Sequence, residues 1–187
     1  MPWTRALDEL EAGRLDVLPS AFRSAQRERF AYFSAPRQHS PNVLYLSATG
    51  ARKYRITSLE DLIGTEFRLG VQIGVSYGER FEVLKANPAF QARLVPVTLR
   101  RNAWQMMRLE RLDGLIADRA TATIELQQLG MANLFRASPV IVSTTAASFA
   151  FSKASTAPEF VAMFNRELAK MIASGKVRAI NERYDNL

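Results

Sequence analysis

The sequence predicts an α/β protein of two lobes with mostly parallel sheets. Three observations carry that prediction. Short apolar runs bounded by turn residues alternate with amphipathic helical stretches from Ser58 onward, the order that builds βα units. Hydrophobic residues make up 48% of the 187 and charged residues 23%, enough apolar side chain for a core and too little charge for a disordered chain. The stretch LEAGRLDVL at 10–18 is echoed by LERLDGLI at 109–116. Each is a helix end feeding a buried strand that contains an Asp, as two similar lobes would produce.

The elements follow in order. Trp3, Ala6, Leu7 and Leu10 share one face of a helix over 3–12, which Gly13 can close. Leu15–Leu18 reads as a buried strand ended by Pro19, and Ser24 caps a short helix carrying Gln26, Arg27 and Glu28. Val43–Leu46 is a further apolar run. Ser58 and Asp61 form a capping box for a helix ending at Gly64. Arg68–Ile73 is a strand, 74–78 a turn, and Glu79–Ala86 a helix stopped by Asn87-Pro88. Leu94–Val97 is a strand, and Asn102 caps a helix to about Glu110. Leu112–Ala117 is a strand, with a helix over Ala120–Leu129 closed by Gly130. Val140–Ser143 and Phe149–Phe151 are strands. Thr156 and Glu159 box a long helix whose buried face is Phe160, Met163, Phe164, Leu168 and Ile172, ended by Gly175, and Val177–Tyr184 is a last short helix. Trp104, Met106 and Met107 fall at helical spacing and read as core.

Composition removes several chemistries. The chain has no cysteine, so thiol catalysis, zinc–cysteine sites and disulfides are excluded and the redox compartment is left open. A single histidine, His39, speaks against a histidine metal site. No G-x-S-x-G motif, P-loop or paired carboxylate spacing is present, so no enzymatic activity and no cofactor is expected. The net charge of +7 is compatible with nucleic acid, an anionic membrane or an acidic ligand, but the Lys and Arg are spread along the chain and read first as a solvated surface. No nucleic-acid partner is expected. No apolar run reaches the roughly 20 residues that span a bilayer, and the opening MPWTRALDELEAG is amphipathic and acidic, unlike a signal peptide.

Taken together, LEAGRLDVL (10–18), QRERFAYFSAP (26–36), SLEDLIGTEFRLGVQIGVSYGERFE (58–82), RLDGLIAD (111–118), FAFSK (149–153) and FNRELAKMIASGKVRAINERY (164–184) resemble the family 3 bacterial extracellular solute-binding proteins, in the family's order and spacing. The resemblance implies a type II periplasmic-binding fold. Lobe 1 would be about 1–41 plus 148–187 and lobe 2 about 42–147, with crossovers near Arg37–Pro41 and Ser143–Ser148. It implies a periplasmic receptor that closes like a hinge on a small-molecule solute and docks on the membrane permease of an ABC transporter. The alternative it leaves is a ligand-sensing effector module of a signalling or regulatory protein. A domain fused to a cell-wall enzyme is a weaker third reading, since no catalytic domain accompanies it. One departure is large: the family begins lobe 1 with a strand and helix ahead of PWTRAL, and these are absent here. Lobe 1 is therefore expected to be incomplete at its N-terminus, with an open strand edge and bare apolar surface. Either the sequence is a fragment or its start is misassigned, or a partner fills the gap; the expected state is a monomer or a dimer that fills the missing strand.

The same resemblance selects a site. It implies that Arg27, in the basic cluster with Arg23 and Arg29, grips a ligand carboxylate, as a guanidinium can through two charge-assisted bonds; the bland alternative is a surface arginine. It implies that Asp118, where a strand meets a helix, pairs with an α-ammonium, or serves as the N-cap, or both. The Gly74–Gly78 turn would offer backbone N–H groups to an anion, with Gly74 and Ser76 as contacts. Val75 and Ser76 depart from the Thr and Gly common there, so Ser76 could equally cap the helix. Phe22 replaces a small hydroxyl residue, which speaks against an ordinary α-amino acid and favours a flatter, more apolar or aromatic-bearing solute. Trp3, Phe22 and Tyr77 could stack on a ligand or lie in the core. Asp16 and Asp113 are read as structural.

Overall fold

The computed structural model describes residues 1–36 and 41–185. The crossover expected near Arg37–Pro41 and the lone His39 fall on residues 37–40, outside them. The chain divides into two compact units, Met1–His39 with Thr145–Leu187 and Ser40–Thr144.

Unit 1 holds α1 (Trp3–Glu11), β1 (Val17–Ala21), α2 (Ala25–Glu28), β2 (Ala31–Phe33), β8 (Ser148–Ser152), α8 (Pro158–Ala173) and α9 (Lys176–Asp185). Its sheet has the order β1-β8-β2, and β8 runs antiparallel to both neighbours. The alternation of side chains along β8 sends Ala150 to one face and Phe149 and Phe151 to the other. Ala150 packs with Ala6, Leu10, Leu18, Ala21 and Ala31 beneath α1. Phe149 and Phe151 meet Phe164 of α8 edge-on, with centroids 5.1 and 5.0 Å away. β1 extends past Pro19, and its register breaks between Leu18 and Ala21, where Ser20 takes φ 59°. A proline without an N–H and a bulge are devices that blunt a strand edge.

Unit 2 holds β3 (Asn42–Leu46), α3 (Ala48–Lys53), a 3-10 turn (Glu60–Leu62), β4 (Leu69–Gln72), α4 (Glu79–Lys85), α5 (Pro88–Gln91), β5 (Leu94–Val97), α6 (Arg100–Arg108), β6 (Gly114–Asp118), α7 (Arg119–Gln128) and β7 (Arg136–Ser143). The sheet order is β5-β4-β6-β3-β7. Both faces are covered, so its strands read as continuous apolar runs. Val43, Tyr45, Leu115 and Ala117 face Trp104, Met107 and Leu126 of α6 and α7. Leu44, Ile116 and Leu69 face Phe81, Phe90 and Leu62.

The α/β class is as expected, but the sheets are mixed rather than mostly parallel. Among the described pairings only β4–β5 and β4–β6 are parallel. The parallel pairs are those joined through helices, as parallel strands require. β3 lies between β6 and β7 and runs against both.

Local signals also resolved differently in places. Asn87-Pro88 does not merely stop α4: the Asn87 side chain accepts from Ala89 N–H and Pro88 opens α5. α6 is capped at Leu99 without a side-chain bond, and Asn102 lies inside it. Asp61 accepts from Thr57 N–H, Thr57 Oγ1 and Ser58 N–H, which folds a 3-10 turn and not an α-helix. Those bonds, Thr57's first, hold the Asp61 carboxyl down at about 2. Thr156 and Glu159 form no box: the N-cap of α8 is Ala157, with no side-chain cap, and Thr156 Oγ1 donates to the Asp16 carbonyl. Of the expected buried face of α8, Leu168 is buried, Phe164 half-buried, and Phe160, Met163 and Ile172 are 46, 46 and 44% exposed. Val161 is buried instead. A three-stranded sheet is too narrow to cover the whole apolar stripe.

Candidate functional site

In open α/β sheets, ligands sit outside the carboxyl ends of parallel strands. In unit 2 that end is formed by β5, β4 and β6. Gln72 lies opposite Val97, and the parallel pairing of Leu69 with Gly114 and Gly70 with Leu115 directs the turn after Gln72 and Asp118 toward the same end of the sheet. The first turns of α4, α6 and α7 therefore open at one end of one sheet.

Asp118 closes β6 and caps α7: its Oδ1 accepts from Thr121 N–H at 2.9 Å and from Thr121 Oγ1 at 2.8 Å. Oδ2 accepts no bond among the described residues. Gly74 has φ 77°, a left-handed conformation that a glycine takes without strain. Ser76 does not cap α4. Gly78 is the N-cap, at φ 95°, and the Ser76 Oγ accepts from its N–H at 3.5 Å. Tyr77 is 3% exposed, packs edge-on to Phe81, and accepts at its hydroxyl from Gln72 N–H at 2.8 Å. Burial pushes its phenol up to about 12. Its ring belongs to the core beneath the turn.

In unit 1, Arg27 follows the exit of β1. Ser24 caps α2 by accepting from Arg27 N–H. The Arg27 guanidinium donates from Nη1 to the Phe22 carbonyl at 2.8 Å and lies 6.0 Å from the Trp3 ring. Burial lowers its pKa from the ordinary arginine value, yet it stays charged. Trp3 and Phe22 are half-buried, and the Trp3 indole Nε1 is buried with no partner among the described residues. Arg27, Phe22 and Trp3 thus share one corner of unit 1, and Gly74, Ser76 and Asp118 share one end of unit 2. A separate concavity beside β2 is lined by Arg23, Tyr32, Lys153 and Asn165. Its cations are engaged, Arg23 with Glu28 and Lys153 with the Glu28 carbonyl and the Tyr32 ring.

One network at the unit 2 end lies outside the site residues the sequence singles out. Arg100, in the first turn of α6, donates from Nε and Nη2 to the two oxygens of Glu125 at 2.7 and 2.8 Å. Trp104 Nε1 donates to the same Glu125 Oε2 at 2.8 Å. The Trp104 ring meets Tyr45 edge-on at 5.2 Å and stacks on Phe135 at 5.7 Å. Burial works against the Arg100 charge, but Glu125 outweighs it and raises its pKa; Tyr77 and Asp118 act in the same direction. Burial raises the Tyr45 phenol, which also feels Arg119, Asp118 and Arg100. The partners lie 25 residues apart on different helices, so no local pattern could have joined them. Glu125 as the one charged residue of ATATIELQQ is the one available hint.

Two α/β units, one assembled from the two ends of the chain and the other from its continuous middle, are the organisation of a binding-protein class of fold. Within it, this chain belongs to the bacterial extracellular solute-binding proteins, family 3, whose model matches residues 1–186. A mutant of ArgBP from T. maritima superposes with a TM-score of 0.76 at 21% identity, covering 100% of this chain and 76% of that one. An ancestral arginine-binding protein bound to arginine gives 0.76 at 22%, covering 98 and 77%. A histidine kinase sensor domain with similarity to periplasmic binding proteins gives 0.75 at 18%, covering 98 and 75%. At these identities the likeness establishes the fold. The chain spans about three quarters of the length of these structures. No curated protein matches it.

Proposed function

We propose that this chain is the periplasmic solute receptor of an ABC-type uptake system and binds a small amino-acid-like or carboxylate-bearing solute. The observation that carries the reading is Arg27, a half-buried guanidinium held by the Phe22 carbonyl beside the Trp3 ring, in a chain of this family. A guanidinium so fixed loses little freedom when it forks onto a carboxylate. In unit 2, Asp118 supports the ammonium contact through Oδ2, and the Gly74–Gly78 turn supplies backbone donors near Ser76. Binding would favour closure of the two units by hinge motion, and the closed form would be the one that engages the membrane permease. Equilibrium dialysis of labelled L-amino acids tests this. Saturable binding, lost in Arg27→Ala, is expected; binding unchanged in Arg27→Ala would remove the role given to that residue.

A ligand-sensing module of a signalling protein is the second reading, favoured by the likeness to a histidine kinase sensor domain. Neighbouring genes separate the two: permease and ATPase genes favour uptake, a kinase or regulator gene favours sensing.

A further inference from the structure

The Arg100–Glu125 pair bears on which solutes unit 2 accepts, an argument that rests on the solute-binding reading above. Among the described residues, the negative groups at this end of the sheet are Asp118, Glu125 and, in the first turn of α4, Glu79 and Glu82. Glu79 and Glu82 are exposed, where a carboxylate contributes little. Asp118 would be taken by a solute α-ammonium. A second cationic group on the solute would need Glu125, whose side chain is 25% exposed. Both Glu125 oxygens are already occupied, one by Arg100 Nη2 and the other by Arg100 Nε and Trp104 Nε1. The pair is bidentate, the geometry that a ligand guanidinium would itself adopt on a carboxylate. Displacing Arg100 would strand a guanidinium whose side chain is only 21% exposed, an unfavourable exchange.

We propose that Arg100 is a specificity-determining residue: it fills Glu125 as an internal stand-in for a solute guanidinium, so the site takes neutral and acidic solutes and rejects those with a cationic side chain. Neighbouring Arg119 adds positive charge to the same end. Specificity of this kind is negative selection, built from what the site denies to the wrong ligand.

The test is isothermal titration of the full chain with L-glutamine, L-glutamate and L-arginine, for the native protein, Arg100→Gln and Arg100→Lys. The native chain should bind glutamine or glutamate at least ~10-fold tighter than arginine. Arg100→Gln frees Glu125 and should shift the arginine-to-glutamine affinity ratio toward arginine by about tenfold or more, whereas Arg100→Lys keeps the native order. Should Arg100→Gln fail to fold, Glu125→Gln replaces it: freeing the Arg100 cation should raise glutamate relative to glutamine by a similar factor. Native binding of arginine as tight as of glutamine overturns the inference while leaving the solute-binding reading standing, as does an affinity ratio unmoved in Arg100→Gln or, where that variant does not fold, in Glu125→Gln. No heat with any of the three, from a native chain that melts cooperatively, overturns the reading on which the inference rests.

Discussion

Asp113→Asn is expected to destabilise the chain by about 2 kcal/mol at neutral pH. Asp113 ties the starts of β4 and β6 together: its Oδ2 accepts from Arg68 N–H and Nε at 2.8 and 2.9 Å, and its Oδ1 from Arg68 Nη2 at 3.0 Å. The residue is 3% exposed, so water cannot replace these bonds at the carboxylate, whereas the Arg68 side chain is 45% exposed and can be hydrated. Asparagine fits the space but offers one acceptor, and its amide N–H₂ must face an Arg68 donor. Bonds to a charged group contribute roughly 1.5–3 kcal/mol, and partial exposure of Arg68 puts the loss in the lower half of that range. For a chain of this size ~2 kcal/mol lowers Tm by roughly 4–8 °C in a circular dichroism melt. The pH dependence checks the cause. Burial pushes the Asp113 carboxyl up, but the Arg68 bonds win and hold it below the ordinary range. A folded pKa below the unfolded one gives stability that is complete above about pH 4 and lost as pH falls through the folded value. The Tm gap between native chain and variant should be constant from about pH 7 to 5 and narrow only in more acid solution. No gap at neutral pH, or a gap that closes already between pH 7 and 5, would refute the reasoning.

Trp104 is fully buried and gives its indole N–H to Glu125, so Trp104→Ala should cost about 3–5 kcal/mol and be visible as a Tm fall of roughly 6–20 °C. Gly50 sits where a Cβ would fall 2.4 Å from the Asp113 carbonyl oxygen, backbone that cannot give way, so Gly50→Ala should lower stability by ~1–3 kcal/mol in denaturant melts despite the better helix former. Asp118→Asn separates two roles: asparagine caps a helix as well as aspartate, so Tm should change by less than ~2 °C, while solute affinity should drop at least ~10-fold by titration.

Much of this molecule is legible in its sequence because the signals are local. The Ser24 cap, the Gly74–Gly78 turn and the apolar strands Leu94–Val97 and Val43–Leu46 depend on near neighbours, and they form where expected. The motif order was enough to recognise the family. What was not legible depends on width and distance. The exposure of Phe160 and Met163 follows from the narrowness of the unit 1 sheet, which no helical period records. The antiparallel course of β3 and β8 follows from where the chain passes between units, so alternation alone overstated the parallel pairing. Tyr77 shows the limit for the site: an aromatic beside a glycine turn reads as a stacking platform or as core, and its burial and the Gln72 N–H bond to its hydroxyl put it in the core. The Arg100–Glu125–Trp104 network joins two helices across the sheet end and left no spacing to read.

The central claim is that this chain binds a small polar solute through Arg27. The most direct measurement is a thermal-shift screen of the full chain against L-amino acids, small carboxylates and polyamines, with Arg27→Ala alongside. A ligand at about 100 times its dissociation constant should add ~2.7 kcal/mol and raise the melting temperature visibly for at least one carboxylate-bearing compound. That shift should vanish in Arg27→Ala. A cooperatively melting native chain that none of these compounds stabilises, or one that Arg27→Ala matches shift for shift, would contradict the claim.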